Sequence, residues 1–167
     1  MTLSKSLASI GAALAGPAAH VRYLRANARP ILYSVAMAPA SVAAALAALE
    51  IVEAEPERRR RLLDLAEGLH NGLRGLGFDT RPSTTPIVPV RFADLATAGA
   101  FWAALFEAGV FTNLVGPPAA GTAMLRLTLT ANHDDSHRAT VLEACADAAR
   151  RLGVPRVADI PEVVLTR

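Results

Sequence analysis

Apolar residues recur at the spacing of one helix face along much of the chain, which predicts several helices. The clearest case runs from Glu57 to about Leu76, where the apolar positions are Leu62, Leu65, Ala66, Leu69 and Leu73. Other helices are predicted from Pro17 to about Arg25, from Pro39 to about Ala54, from Leu95 to Ala108 and from about Asp135 to Leu152. Proline fits the first two of these starts, because its fixed φ suits the first turn of a helix.

Shorter apolar runs between these helices predict strands. Residues 10–15 are bracketed by glycines and predict a buried strand, and residues 31–34 are predicted to be extended because Pro30 ends the helix before them. In the second half of the chain three more strands are predicted, at residues 87–92, 110–115 and 124–130. The order strand, helix, strand, strand, helix describes a small α/β layer structure.

A change of character near residue 80 predicts two parts. Residues 1–78 are mainly helical, and residues 79–167 form the compact α/β part. The joint between them is expected from Phe78 to Pro86, in a polar stretch that contains Pro82.

Charge and composition argue against a nucleic-acid partner and against a metal site. The 17 basic and 15 acidic side chains give a formal net charge of +2, and aromatic residues make up 5%, so no basic groove with interleaved aromatics is predicted. His20, His70 and His137 lie on predicted helices without the spacing of metal ligands. The single cysteine, Cys145, excludes an internal disulfide and fits a reducing compartment.

No membrane span is predicted, although hydrophobic residues make up 52% of the chain. The most apolar stretch, Val35 to Leu49, contains Pro39 and is shorter than the ~20 residues of a spanning helix. A secretory signal peptide is a stronger alternative, with Lys5 as the charge, residues 7–15 as the apolar segment and residues 16–19 as the cleavage zone. Hydropathy alone leaves this alternative open.

Lys5 is the candidate for covalent chemistry. It lies between Ser4 and Ser6, two residues with hydroxyl side chains, and it precedes the apolar run bounded by Gly11 and Gly16. A lysine amine that can become neutral forms an imine with an aldehyde, and neighbouring hydroxyls can donate to a phosphate. Such an arrangement is often seen around the lysine that holds pyridoxal phosphate (PLP), although a lysine near a chain start is usually only solvated.

Five segments, in order and at matching spacing, extend this interpretation over residues 2–152. They are Ser4–Ala12 around the lysine, Ala28–Pro39, Leu76–Asp79 with Thr84–Val90, Glu107–Asn113 with Pro117 and Pro118, and Leu125–Thr128 with Ala131–Asp135. Together they resemble the PLP-dependent α-oxoamine synthases, which include serine palmitoyltransferase, 8-amino-7-oxononanoate synthase and glycine C-acetyltransferase. Two positions depart from the family pattern: Ala12 stands where a second glycine is usual, and Ala38 where a second proline is usual.

The resemblance implies an α/β fold, namely the C-terminal portion of a fold-type I PLP enzyme. The end of the large domain and long helices would be followed by a small domain with a mainly antiparallel sheet. It also implies roles for four residues. Lys5 would hold PLP and move a proton at the substrate's α-carbon, while Thr2 would bind the cofactor phosphate. Ser34 would reach the phosphate of a neighbouring subunit's cofactor, and Arg126 would bind the amino-acid carboxylate.

Simpler interpretations stand beside two of these roles. Arg126 could form a structural ion pair, but an inward arginine between apolar neighbours is costly unless paired, which favours a ligand carboxylate. Ser34 could equally well satisfy backbone groups at a turn. His133 is interpreted as a capping or packing residue, and Arg58 to Arg61 as a solvated face, with CoA phosphates as a lesser possibility.

The activity implied by the resemblance is the condensation of an amino acid with an acyl-CoA, in the cytoplasm, by a homodimer or by a complex with a separately encoded N-terminal half. We expect the chain to be inactive without the N-terminal portion of such enzymes, which supplies most of the cofactor site. The alternatives are a non-catalytic dimerisation or regulatory module of the same fold, another PLP enzyme of aminotransferase class I/II, and a secreted helical protein.

Overall fold

The computed structural model describes residues 1–117 and 121–154. Its elements, in chain order, are α1 (Ala18–Asn27), α2 (Arg29–Leu32), α3 (Pro39–Ala54), α4 (Pro56–Gly75), β1 (Ile87–Phe92), α5 (Leu95–Glu107), β2 (Asn113–Val115), β3 (Ala123–Thr128) and α6 (Asp135–Leu152). They fall into two compact units, Met1–Pro56 and Glu57–Arg167, called here unit 1 and unit 2. The boundary between residues 1–78 and 79–167, which is expected from Phe78 to Pro86, separates the two domains that the family resemblance implies. It stays a prediction.

Unit 1 contains α1, α2 and α3, and none of these helices buries a residue. Throughout Met1–Pro56, which the structure describes in full, the buried residues are Leu3, Leu7 and Ser9. All three lie in the loop that carries Lys5. The packed part of unit 1 is therefore this loop.

The strand predicted at residues 10–15 is wrong. The only pairing in this region of the described chain is an isolated antiparallel bridge between Thr2 and Ala12, and Ile10 is 80% exposed. A strand is defined by hydrogen bonds to a neighbour, so an apolar run with no neighbouring strand does not become one.

The extended segment predicted at residues 31–34 is also wrong, because α2 occupies Arg29–Leu32. Pro30 does follow the end of α1, as expected, but it also lies in the first turn of α2. In that turn the backbone N–H groups have no partner within the helix, so proline loses nothing there.

Unit 2 is built on an antiparallel sheet with the strand order β1-β3-β2. In the register of β1 with β3, Val88 faces Leu127 and Val90 faces Leu125, and these four side chains are buried on the same face. The predicted strands are confirmed, although β2 begins only at Asn113 and β3 ends at Thr128.

Helices α4, α5 and α6 supply the rest of this core. The apolar face predicted for α4 is confirmed, since Leu65, Ala66, Leu69 and Leu73 are buried. Helix α5 contributes Phe101, which packs against Phe78 and Phe92 with ring centroids 5.5 and 5.0 Å apart. Helix α6 contributes Ala144, Cys145 and Ala148. Unit 2 thus has a continuous apolar core made of local elements that the sequence pattern predicts.

Two predictions concern residues outside the described ranges. Pro118, in the fourth matching segment, and residues 155–167 of the C-terminal tail lie there. Among the described residues, no helix combines the length and the apolar character needed to cross a membrane.

Candidate active site

The loop that carries Lys5 is closed by backbone hydrogen bonds. The N–H of Leu3 donates to the carbonyl of Gly11 at 3.0 Å, and the N–H of Ser9 donates to the carbonyl of Leu3 at 3.0 Å. Between these contacts, the N–H of Ala8 donates to the carbonyl of Lys5 at 3.2 Å and forms a turn. Leu3 and Leu7 are buried while Lys5 is exposed, so the loop is anchored by its apolar residues and leaves the amine accessible.

Thr2 and Ser4 place two hydroxyl groups beside Lys5 in the sequence. Their Oγ atoms are 2.9 Å apart, and the N–H of Ser4 donates to Oγ1 of Thr2 at 3.3 Å. Both residues are exposed. The loop therefore presents a primary amine and at least two hydroxyls to solvent, which is a donor set that fits an aldehyde with an attached phosphate.

Lys5 is the only lysine among the 17 lysine and arginine residues of the chain. Arginine cannot form an imine, because its guanidinium stays protonated, whereas a lysine amine can become neutral. Among the described residues none forms an ion pair or a side-chain hydrogen bond with Lys5. The chain thus has one side chain able to hold PLP covalently, and that side chain is exposed.

Ser34 lies between α2 and α3 in unit 1. Its hydroxyl donates to the carbonyl of Ile31 at 3.5 Å, a weak contact, and the residue is exposed. This bond agrees with the simpler interpretation, in which Ser34 satisfies a backbone group at a turn. A bond of this length leaves the hydroxyl open to a stronger acceptor such as a phosphate, so its cofactor role stays a prediction.

Arg126 lies at the centre of β3 in unit 2, opposite Pro89 on one side and Asn113 on the other. Its neighbours Leu125 and Leu127 are buried while Arg126 is exposed, because successive side chains of a strand point to opposite faces. Arg126 therefore does not point into the apolar core of unit 2, and burial does not require it to be paired. No described residue forms an ion pair with its guanidinium. Carboxylate binding by Arg126 stays a prediction.

The predicted site residues are divided between the two units. Lys5 and Thr2 share one loop, and Ser34 lies in the same unit. Arg126 belongs to unit 2. Two features of this site are not among the sequence-based predictions: Lys5 is the only lysine of the chain, and Ser9 is the third buried residue of the loop.

His133 and the start of α6 form a capping structure, as expected for His133. The N–H of Thr130 donates to Nδ1 of His133 at 2.9 Å. Asp134 caps the helix, and hydrogen bonds from Ser136 and His137 hold the pKa of its carboxyl well below the ordinary value. A cavity of about 310 Å³ lies beside this cap and is lined by both acidic and arginine side chains.

Comparison with known proteins defines the class to which this fold and this lysine loop belong. Residues 1–145 match the aminotransferase class I and II family. This match covers the lysine loop, all of unit 1 and every strand of the sheet in unit 2. The chain belongs to the aminotransferase class I and II family.

Within this family the chain is similar to 8-amino-7-oxononanoate synthases. It is 43% identical to the enzyme of Anaeromyxobacter dehalogenans over 148 residues, which is 87% of this chain and 37% of that protein. It is 37% identical to the enzyme of Thermosipho melanesiensis over 155 residues, which is 92% of this chain and 40% of that protein. The chain thus spans about two fifths of the length of these relatives.

Solved structures give the same result for the fold. Serine palmitoyltransferase of Sphingomonas wittichii superposes with a TM-score of 0.85 at 31% identity, covering 92% of this chain and 40% of that protein. An 8-amino-7-oxononanoate synthase of Francisella tularensis, at 22% identity, superposes with a TM-score of 0.80 and covers 92% of this chain and 45% of that one. The expected fold class, a portion of a fold-type I PLP enzyme with a small antiparallel sheet, is confirmed.

Proposed function

We propose that this chain carries the cofactor lysine of a PLP-dependent acyltransferase that condenses an amino acid with an acyl-CoA. The observation that carries the proposal is Lys5: it is the only lysine of the chain and it lies on the exposed part of a closed loop. Similarity to 8-amino-7-oxononanoate synthases and serine palmitoyltransferases supports this kind of reaction. One such serine palmitoyltransferase, at 32% identity and a TM-score of 0.86, was solved with PLP attached to it.

PLP, when bound, supplies an electron sink that stabilises negative charge on the carbon next to the substrate nitrogen. In the proposed reaction that carbon forms a bond to the acyl carbonyl, the thioester bond breaks, and CoA leaves as the thiol. Loss of CO2 and uptake of a proton complete the balance. The Nζ atom of Lys5 removes and returns the proton at this carbon.

The other proposed roles concern recognition. The guanidinium of Arg126 binds the amino-acid carboxylate, since two parallel N–H donors match two carboxylate oxygens. The hydroxyls of Thr2 and Ser34 donate to cofactor phosphates, Ser34 to that of a second subunit, which makes the proposed assembly a dimer. Since the relatives are more than twice as long as the matched segment, we propose that further cofactor contacts come from their remaining part, and that the reaction takes place in the cytoplasm.

Covalent capture tests the proposal. The native chain is incubated with PLP and reduced with borohydride, and the pyridoxyl group is located by peptide mass spectrometry. Because Lys5 is the only lysine, the label can lie only there or on the terminal amine. We expect Lys5 to be labelled faster in the native chain than in urea. Lys5→Arg, which keeps the positive charge, should lose this label.

Equal labelling of Lys5 in native and unfolded chains would contradict the proposal, because it would show the ordinary reactivity of a free amine. That result would favour the non-catalytic module of the same fold. The module hypothesis also predicts that Lys5→Arg leaves the self-association of the chain unchanged, which sedimentation velocity can measure.

A further inference from the structure

A side-chain hydrogen bond ties the lysine loop to α3. The hydroxyl of Ser9 donates to the carbonyl of Ser41 at 2.6 Å, and Ser9 is 8% exposed. Ser41 lies in the first turn of α3, 32 residues away in the sequence. A buried hydroxyl with one short bond across such a separation fixes the relative position of two segments, since losing the bond leaves a buried polar group unsatisfied.

A second contact joins the same two segments. Gly11 has φ +117°, and a Cβ built on it would lie 2.7 Å from Sδ of Met37. The side chain of Met37 therefore packs directly on the backbone of Gly11. Met37 lies just before α3, so residues 9–11 are held at two points to residues 37–41.

These contacts bear on Lys5 through the backbone of the loop. Ser9 closes the loop by donating its N–H to the carbonyl of Leu3. The preceding residue, Ala8, has φ +46°, a left-handed conformation that costs energy for a residue other than glycine. The turn from Lys5 to Ala8 thus ends at a strained residue, and the next residue, Ser9, is anchored to α3.

We propose that Ser9 is a positioning residue, whose hydroxyl holds the Lys5 loop against the first turn of α3 and so fixes where the lysine amine is presented. This inference rests on the proposed function for its chemical meaning. Because Ser34 lies only a few residues before α3, the same contact links the cofactor lysine to the segment proposed to serve a neighbouring subunit's phosphate.

Hydrogen exchange of the backbone amides tests the anchor without any cofactor. In Ser9→Ala, amides of residues 3–13 should exchange about fivefold to tenfold faster, the effect of losing one hydrogen bond. Amides in the middle of α3 should not change. Ser9→Thr, which keeps the hydroxyl, should restore slow exchange. Ser6→Ala is the matched control, because Ser6 is an exposed serine of the same loop, and it should behave like the wild type.

Unchanged exchange in Ser9→Ala would overturn the proposal, and so would equally faster exchange throughout α3, because a general loss of structure is not positioning. Met37→Ala provides a second variant, and it should also speed exchange in residues 9–13. The rate of pyridoxyl labelling at Lys5 is the second measurement, expected to fall about fivefold in Ser9→Ala. If native wild type shows no preferential labelling, the proposed function fails, and the exchange data still decide the anchor.

Discussion

A largely buried ion pair joins Asp79, in the segment before β1, to Arg91 in β1. Nη1 of Arg91 lies 2.9 Å from Oδ2 of Asp79, and the backbone N–H of Arg91 donates to the carbonyl of Asp79 at 3.0 Å. The Arg91 side chain is 9% exposed and that of Asp79 20%. Nε of Arg91 is buried and has no partner among the described residues. The guanidinium therefore depends on the Asp79 carboxylate for compensation of its charge.

Asp79→Asn removes that charge while keeping the size of the side chain and an acceptor for the N–H of Arg81, which donates to Oδ1 at 3.0 Å. Breaking a buried pair from one side costs about 3–5 kcal/mol, because the remaining charge stays buried. Since Asp79 is partly exposed, we expect the lower end, about 3 kcal/mol. Arg91→Met should cost only about 1 kcal/mol, because the carboxylate left behind can be hydrated.

Urea unfolding followed by circular dichroism measures these differences, with equal slopes required for the comparison. The double variant Asp79→Asn with Arg91→Met should be more stable than Asp79→Asn alone, since it removes the buried charge of Arg91 that Asp79→Asn leaves unpaired. Asp147→Asn is the control, because Asp147 pairs with Arg150 on the exposed face of α6, and it should cost less than about 1 kcal/mol. A cost for Asp79→Asn no larger than for Arg91→Met would refute the reasoning.

Three further predictions concern the core of unit 2. Phe101→Ala should cost about 3–5 kcal/mol in urea unfolding, because Phe101 is 1% exposed, whereas Phe106→Ala, at a 56% exposed site, should cost far less. Burial, and then the charge of Arg74, lower the pKa of His70 from 6.5. As the pH falls from 7 to 5, His70 therefore takes up a proton more readily in the unfolded chain than in the folded chain. The free energy of unfolding should fall over this range, and His70→Leu should make it depend less on pH. Burial raises the pKa of the Cys145 thiol from 9.0 to about 12, so iodoacetamide at pH 8 should modify it roughly a thousandfold more slowly in the native chain than in urea; equal rates would contradict this.

The sequence pattern predicted unit 2 far better than unit 1, and the reason is physical. The strand β1 and the helix α4 carry their own periodic apolar faces, so their existence can be inferred locally. The apolar run at residues 10–15 has no periodicity that distinguishes a strand from a loop, and its outcome depends on neighbours. Pro30 shows a second limit, because proline both ends one helix and begins another.

The site residues divide in the same way. Resemblance could point to Lys5 and Arg126, but the exposure of Arg126 depended on which face of β3 packs on the helices. That face follows from the register with β1, which is a long-range property. The anchor of Ser9 on Ser41 joins residues 32 positions apart, and no local pattern in either segment indicates it.

The distribution of burial in unit 1 argues for a chemical role of the Lys5 loop. The helices α1, α2 and α3 bury no residue, while Leu3, Leu7 and Ser9 are buried on either side of Lys5. Ordering a residue costs about 1–2 kcal/mol of backbone entropy, and the burial of Leu3 and Leu7 together with the hydrogen bond of Ser9 offsets that cost in this loop. Holding a single lysine in one place is a reason for that order, because a positioned amine reacts far faster than a freely moving one. The order of the loop and the presence of one lysine in the chain are independent observations, and both indicate the same residue.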